Sequence, residues 1–190
     1  MRLEAIVLAA GAGTRFGGGK LLALHRGRPL LDHALDTALA APVARVTVVV
    51  RPGDEAVVAL VAARTEPRLR MLIAPDAAEG LGASLRTGVA ALDPETDGVF
   101  VFLGDMPEAP HGLAAALAAR LADGTEIAAP VHAGRRGHPV LFARACFPDL
   151  AALTGDRGAQ GLMAERKAAL VETDAAGVLF DVDRREDLAD

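Results

Sequence analysis

The chain has 190 residues and a formal net charge of −5 at pH 7, which suggests one domain and excludes a broad basic face for nucleic acid. Hydrophobic residues make up 52 % but aromatics only 3 %, with no Trp or Tyr, so the core has to be built from Ala, Val and Leu. The single cysteine, Cys146, excludes an internal disulfide and a cysteine-rich zinc site, and no apolar run reaches the ~18 residues of a membrane span. A soluble cytoplasmic protein, with no membrane or nucleic-acid partner, is expected.

In chain order, residues 5–9, 46–50, 69–74 and 99–103 are short, apolar and rich in β-branched side chains, as buried parallel strands are. Residues 30–40, 54–64 and 81–91 carry apolar side chains at three- and four-residue spacing and read as helices, with Pro29, Asp54 and Ser84 near their starts. A further Ala-rich helix covers 113–121. Alternating strands and helices predict a three-layer α/β/α fold around a mostly parallel, Rossmann-like sheet. After Gly124 the rhythm changes to a strand, a tight turn over 133–137 and a second strand, which predicts a short antiparallel element. Helices at 147–153 and 158–166, two short apolar runs and a terminal helix from Arg185 complete the chain.

The first strand runs into "LAAGAGTRFGGGKLL", a glycine-rich loop of the kind that holds phosphate. A dinucleotide loop, G-x-G-x-x-G, fits Gly11 and Gly13, but its third glycine falls on Phe16 and the second strand ends in Arg51 instead of an acid. A P-loop would end at Gly19-Lys20, but Thr14 replaces its first glycine and Leu21 its hydroxyl. The loop instead resembles that of the sugar-nucleotide type of nucleotidyltransferase, L-A-x-G-x-[GS]-x-R-[MF]-G-x-x-K, and matches every defined position. Gly11 and Gly13 let backbone N–H groups approach a triphosphate, Arg15 offers a planar fork to phosphate oxygens, and Lys20 supplies a point charge where negative charge grows.

Phosphate chemistry of this kind wants a divalent cation held by carboxylates. Asp105 follows the strand at 99–103 directly, where α/β sheets bind ligands, in "GDMP". Asp181 and Asp183 in "DVDRREDL" share one face if the segment is extended. Asp183 is the expected second ligand to Mg²⁺, with Asp181 the alternative. Cys146 reads as core filler, and His25, His33, His111 and His132 show no ligand spacing.

With "GRPLLDHAL", "GLGASLRTGV", "VFLGDMP", "GRRGHPVLF" and "LTGDRGAQGLM" added, nearly the whole chain resembles the molybdenum cofactor cytidylyltransferases among the MobA-like nucleotidyltransferases. The resemblance implies one domain over 1–190, with a nucleotide-binding half at 1–124 and an acceptor-binding half at 125–190. It implies Mg²⁺-dependent transfer of a nucleoside monophosphate from a triphosphate onto molybdopterin carrying molybdenum, with pyrophosphate released and the product passed to a molybdoenzyme. L-A-A-G at the loop start, with Ala10 where guanylyltransferases carry glycine, points to CTP. By the same resemblance Leu8, Ala9, Ala10, Gly80, Gly82 and Ser84 lie at the nucleotide. Gly137, His138, Pro139, Asp156 and Arg157 lie at the acceptor, His138 as a group titrating near neutrality. The chain departs from the family's D-[IV]-D-T-P-E-D ending, where Arg184-Arg185 replaces the Thr-Pro pair that stiffens the turn after Asp183. The alternatives are a MobA-like guanylyltransferase, another acceptor, or a non-catalytic molybdopterin-binding chaperone.

Overall fold

Every residue of Leu3–Ala9 (β1) is buried, so this strand must be covered on both faces. The computed structural model, which describes residues 1–155, 158–166 and 168–188, shows how. Next come the two-residue strands Leu24–His25 (β2) and Arg28–Pro29 (β3), which form a small antiparallel sheet, and the helix Leu30–Ala40 (α1). Arg45–Val50 (β4), Glu55–Ala62 (α2), Leu69–Ile73 (β5), Leu81–Ala90 (α3), Gly98–Leu103 (β6) and Leu113–Ala122 (α4) continue the alternation. Ile127–His132 (β7), Arg135–Arg136 (β8), Val140–Ala143 (β9), Phe147–Ala151 (α5), Gln160–Glu165 (α6) and Ala169–Glu172 (β10) follow.

The main sheet runs β10-β7-β9-β6-β1-β4-β5, with β8 added on β7. β1, β4, β5 and β6 are parallel, as are β7 and β10; β9 lies antiparallel between β6 and β7. Because side chains alternate along a strand, β1 sends Ala5, Val7 and Ala9 against α1, α2 and α4, and Ile6 and Leu8 against α3, α5 and α6. Both faces are thus filled largely by aliphatic side chains, with Phe100 and Phe102 on one and Phe142 on the other. Among the described residues, no helix is long and apolar enough to cross a membrane.

Asp54 caps α2 as expected, its Oδ1 accepting from the Val57 N–H at 3.4 Å. Ser84 does not start its helix: Gly80 does, with φ +122°, and Ser84 sits one turn inside α3. The turn predicted over 133–137 is tighter, using only Ala133 and Gly134, both at positive φ, so that β8 pairs straight back onto β7. The terminal helix is one 3₁₀ turn, Arg185–Asp187. Cys146 is buried and free, and burial pushes its thiol up, which leaves it an unreactive part of the core.

Arg64 ties α1 to the end of α2 by pairing with Asp32 at 2.6 Å and with Asp36. Partial burial raises the Asp36 carboxyl, but bonds from Arg64 and Arg28 overcome this and hold it below its usual 3.8. Arg64→Ala is expected to cost about 1 kcal/mol in urea unfolding at pH 7, allowing for solvent screening. The depressed carboxyl stabilises the fold fully above its unfolded value and less as pH falls through the folded one. The gap between mutant and wild type should therefore close below about pH 3.8.

Candidate functional site

The chain leaves β1 at Ala9 and folds on itself at once. The N–H groups of Phe16, Gly17 and Gly18 all donate to the Gly13 carbonyl at 3.1 Å. Gly13 itself has φ +58°, and a Cβ there would lie 3.1 Å from the Lys20 Cβ, so its backbone turn and its closeness to Lys20 both call for glycine. A 3₁₀ turn at Lys20–Leu22 then carries Lys20 inward, leaving its side chain 13 % exposed.

Phe16, the residue that breaks the dinucleotide pattern, is buried with Leu30 and Val182. That contact docks the C-terminal segment beside the glycine loop. The Val182 N–H donates to the Asp105 carbonyl at 3.1 Å, joining the same segment to the end of β6. Asp105, Asp183 and the loop cations thereby come together from three distant stretches of chain. Lys20 Nζ donates to Asp105 Oδ2 at 2.6 Å and lies 3.5 Å from Asp183 Oδ1, while Arg15 Nη1 donates to Asp183 Oδ2 at 2.9 Å.

The Arg184-Arg185 pair supplies the turn by other means. Asp187 Oδ2 accepts from the Asp183 and Arg184 N–H groups at 2.9 and 2.7 Å. Arg185 donates from Nε to the Phe16 carbonyl at 3.3 Å, with its guanidinium 5.0 Å from the Phe16 ring centre. The backbone donors at Arg184 and Asp183 hold the Asp187 carboxyl below its usual 3.8. Its contribution is complete above that value and declines as pH falls through the depressed one. Asp187→Ala should accelerate amide hydrogen exchange at Asp183 and Arg184 several-fold at pH 7, and acidification below about 3.8 should narrow the difference from wild type.

A cleft of about 810 Å³ opens above the carboxyl ends of β1, β4, β5 and β6. Of the residues expected at the nucleotide or metal, Leu8, Ala9, Ala10, Gly11, Gly13, Arg15, Lys20, Gly80, Ser84, Asp105 and Asp183 all line it. Gly82 does not: a Cβ there would lie 2.8 Å from the Gly155 carbonyl, so its smallness serves packing of α3 on the 154–155 backbone. The cleft also includes Arg51, Pro52, Pro75, Ala77 and Ala78, which sequence reasoning left out. The rule that selects Asp105 would have found Arg51 and Pro75, since each lies just beyond the carboxyl end of a parallel strand.

The expected acceptor residues are arranged differently. Gly137, His138 and Pro139 are not part of the cleft lining. Gly137 is buried where a Cβ would run into the Val178 backbone, and the His138 N–H donates to the Val178 carbonyl at 2.9 Å. Burial pushes the His138 imidazole below its usual range, against the pull of a backbone bond at Val101 and of Asp105 and Asp181. Burial thereby favours its neutral form, which suits it less to the role of a cation than a group titrating near neutrality. Its Nδ1 is buried without a partner among the described residues. Asp156 and Arg157 lie outside the described residues.

Asp105 and Asp183 suit a hard divalent cation, since they offer carboxylate oxygens that already share one cationic partner, the Lys20 ammonium. Among the described residues, no three His, Cys, Asp or Glu side chains gather to hold a metal. An ion there has to be completed by oxygens from water and a bound phosphate, as Mg²⁺ commonly is. Asp181 is not in the cleft lining; desolvation, then repulsion from Asp105 and Asp183, raises its carboxyl.

The sheet, its glycine loop and the cation-paired acids Asp105 and Asp183 are the setting of a nucleotidyltransferase, and similarity to known proteins gives the same class. The family model for the MobA-like NTP transferase domain matches residues 5–170, and the chain belongs to that family. It is 28 % identical over 193 residues to the purine catabolism protein PucB of Bacillus subtilis, covering 97 % of this chain and 93 % of that one. It is 31 % identical over 173 residues to the nicotine blue oxidoreductase of Paenarthrobacter nicotinovorans, covering 85 % and 81 %. The crystal structure of Rv0371c from Mycobacterium tuberculosis H37Rv superposes with a TM-score of 0.85 at 29 % identity, covering 98 % of this chain and 95 % of that one. A second structure of Rv0371c, at 28 % identity and a TM-score of 0.81, is a complex with manganese and covers 98 % and 96 %.

Proposed function

We propose that the protein transfers CMP from CTP onto the terminal phosphate of a molybdopterin-type acceptor, releasing pyrophosphate. The observation that carries the transfer chemistry is the Lys20 ammonium, which both carboxylates and the glycine loop surround. When a triphosphate enters, Lys20 and Arg15 exchange Asp183 and Asp105 for phosphate oxygens and keep their charge paired throughout. Asp105 and Asp183, so released, are the residues that would hold Mg²⁺. Bound there, Mg²⁺ would neutralise charge on the triphosphate. The acceptor phosphate, already an anion, attacks the α-phosphorus in line, a P–O bond forms as the bond to the β-phosphate breaks, and no covalent protein intermediate is needed.

Ala10, in the L-A-A-G start, supports CTP. Residues 1–124 would form the nucleotide half and 125–190 the acceptor half of one domain, although Asp183 from the second half enters the nucleotide cleft. Gly137, His138, Pro139, Asp156 and Arg157 are the acceptor residues on this reading. His138, its neutral form favoured by burial, would offer a hydrogen bond instead of a charge. A molybdoenzyme would receive the product.

The test is pyrophosphate release from CTP, GTP, ATP and UTP with Mg²⁺ or Mn²⁺, with and without molybdopterin carrying molybdenum. Acceptor-dependent release with CTP is expected. Clear preference for GTP overturns the cytidylyl assignment, and binding without release points to a chaperone. Consumption of a reduced nicotinamide cofactor without pyrophosphate would instead match the redox chemistry in the Paenarthrobacter relative's name.

A further inference from the structure

The cleft has two chemically different ends. Strand order places β6 on one side of β1 and β4 and β5 on the other. On the β6 side lie Asp105, with Lys20, Arg15 and Asp183 around it. Beyond β4 and β5 the lining is mainly apolar (Pro52, Pro75, Ala77, Ala78 and Leu81), with the Ser84 hydroxyl and one charged side chain, Arg51, which also lines a smaller cavity with Lys20. A nucleotide with its phosphates at the charged end extends its base toward this apolar wall, and none of the four proline and alanine side chains can tell one base from another.

Arg51 can. It is the residue after β4, and its Nε donates to Asp54 Oδ2 at 3.1 Å. Asp54 is itself fixed by its capping bond to the Val57 N–H. The guanidinium is thus aimed from one side, while its two Nη groups have no hydrogen-bond partner among the described residues. The side chain is 36 % exposed. A guanidinium only donates, and its two Nη groups form a planar fork matched to two neighbouring acceptors.

We infer that Arg51 reads the base, its Nη groups donating to two adjacent acceptors on one edge: O2 and N3 of cytosine, or O6 and N7 of guanine. Uracil interrupts its two carbonyls with an N–H, and adenine sets an amino group beside N1 and N7, so neither offers the fork such a pair. The chain then selects C or G nucleotides over U and A. This rests on the nucleotidyl-transfer reading for the direction in which the nucleotide lies.

Isothermal titration of wild type, Arg51→Ala and Arg51→Lys with each of the four triphosphates and Mn²⁺ tests it. Wild type should bind CTP or GTP about tenfold or more tighter than UTP and ATP, the scale of one bidentate contact to a base. The CTP and GTP arms decide between the two acceptor pairs. Arg51→Ala should lose this preference while UTP and ATP binding changes less than about twofold, and Arg51→Lys, with charge but no fork, should not restore it. Equal weakening of all four nucleotides would put Arg51 on the phosphates and overturn the inference. So would an unchanged preference in Arg51→Ala, its restoration by lysine, or a wild type favouring ATP or UTP. Circular dichroism and melting curves confirm that each variant is folded. Binding is read without turnover, so absence of pyrophosphate release would retire the transfer reading and leave the base preference separately measurable.

Discussion

Asp105→Ala is expected to lower pyrophosphate release at least a hundredfold while the protein stays folded. The proposed mechanism requires this acid twice, as a resting partner of Lys20 and as a ligand for the divalent cation. Removal of one preorganised electrostatic group from an active site commonly costs a factor of 10² to 10³ in rate, and here a metal ligand goes with it. The backbone of Asp105 remains to accept from Val182, so the C-terminal segment should keep its place and the melting temperature should move by only a few degrees. Loss of the Asp105 charge also relieves repulsion on Asp181 and lets its raised carboxyl fall back toward its ordinary range. A variant retaining more than a few per cent of the wild-type rate would remove Asp105 from the metal site.

Lys20→Met should act on both rate and ligand binding, and its binding effect has the opposite sign. Transfer is expected to drop by a factor of about 10² to 10³, because the charge proposed to stabilise the α-phosphate is gone. Without its ammonium, Asp105, only 22 % exposed, loses its cationic partner and faces Asp183, which keeps Arg15 alone. The metal-free protein should therefore lose about 1–2 kcal/mol, a partly screened version of breaking a buried pair. Mn²⁺ no longer competes with Lys20 for the two carboxylates and binds only the folded state, so it should raise the melting temperature of Lys20→Met more than that of wild type. Equal shifts in both proteins would show that the carboxylates beside Lys20 are not the metal ligands.

The strands and helices around β1, β4, β5 and β6 are legible because their apolar periodicity is local and the sheet buries them on both faces. α1 falls on the predicted residues 30–40, and Asp54 caps α2. The glycine loop is legible for the same reason: its phosphate-seeking pattern is written in consecutive residues. Gly82 misled because a glycine's smallness has two uses, approach to a ligand or approach to another backbone, and only the fold shows the 154–155 backbone against it. His138 misled because an imidazole's charge depends on burial, which no motif records. Arg51 was read only as a missing acid, although its position after β4 was visible.

Residue type and spacing alone therefore determined the α/β alternation, the glycine loop with Arg15 and Lys20, and an acid at the end of a central strand. Only the tertiary structure decided which charges meet. Arg15 and Asp183 stand 168 positions apart, Lys20 and Asp105 85; the first contact depends on Phe16 packing against Val182, the second on β1 pairing with β6. Ion pairs, burial and the protonation they impose fall off within a few ångströms, so they follow distance in space. Separation along the chain carries no record of it.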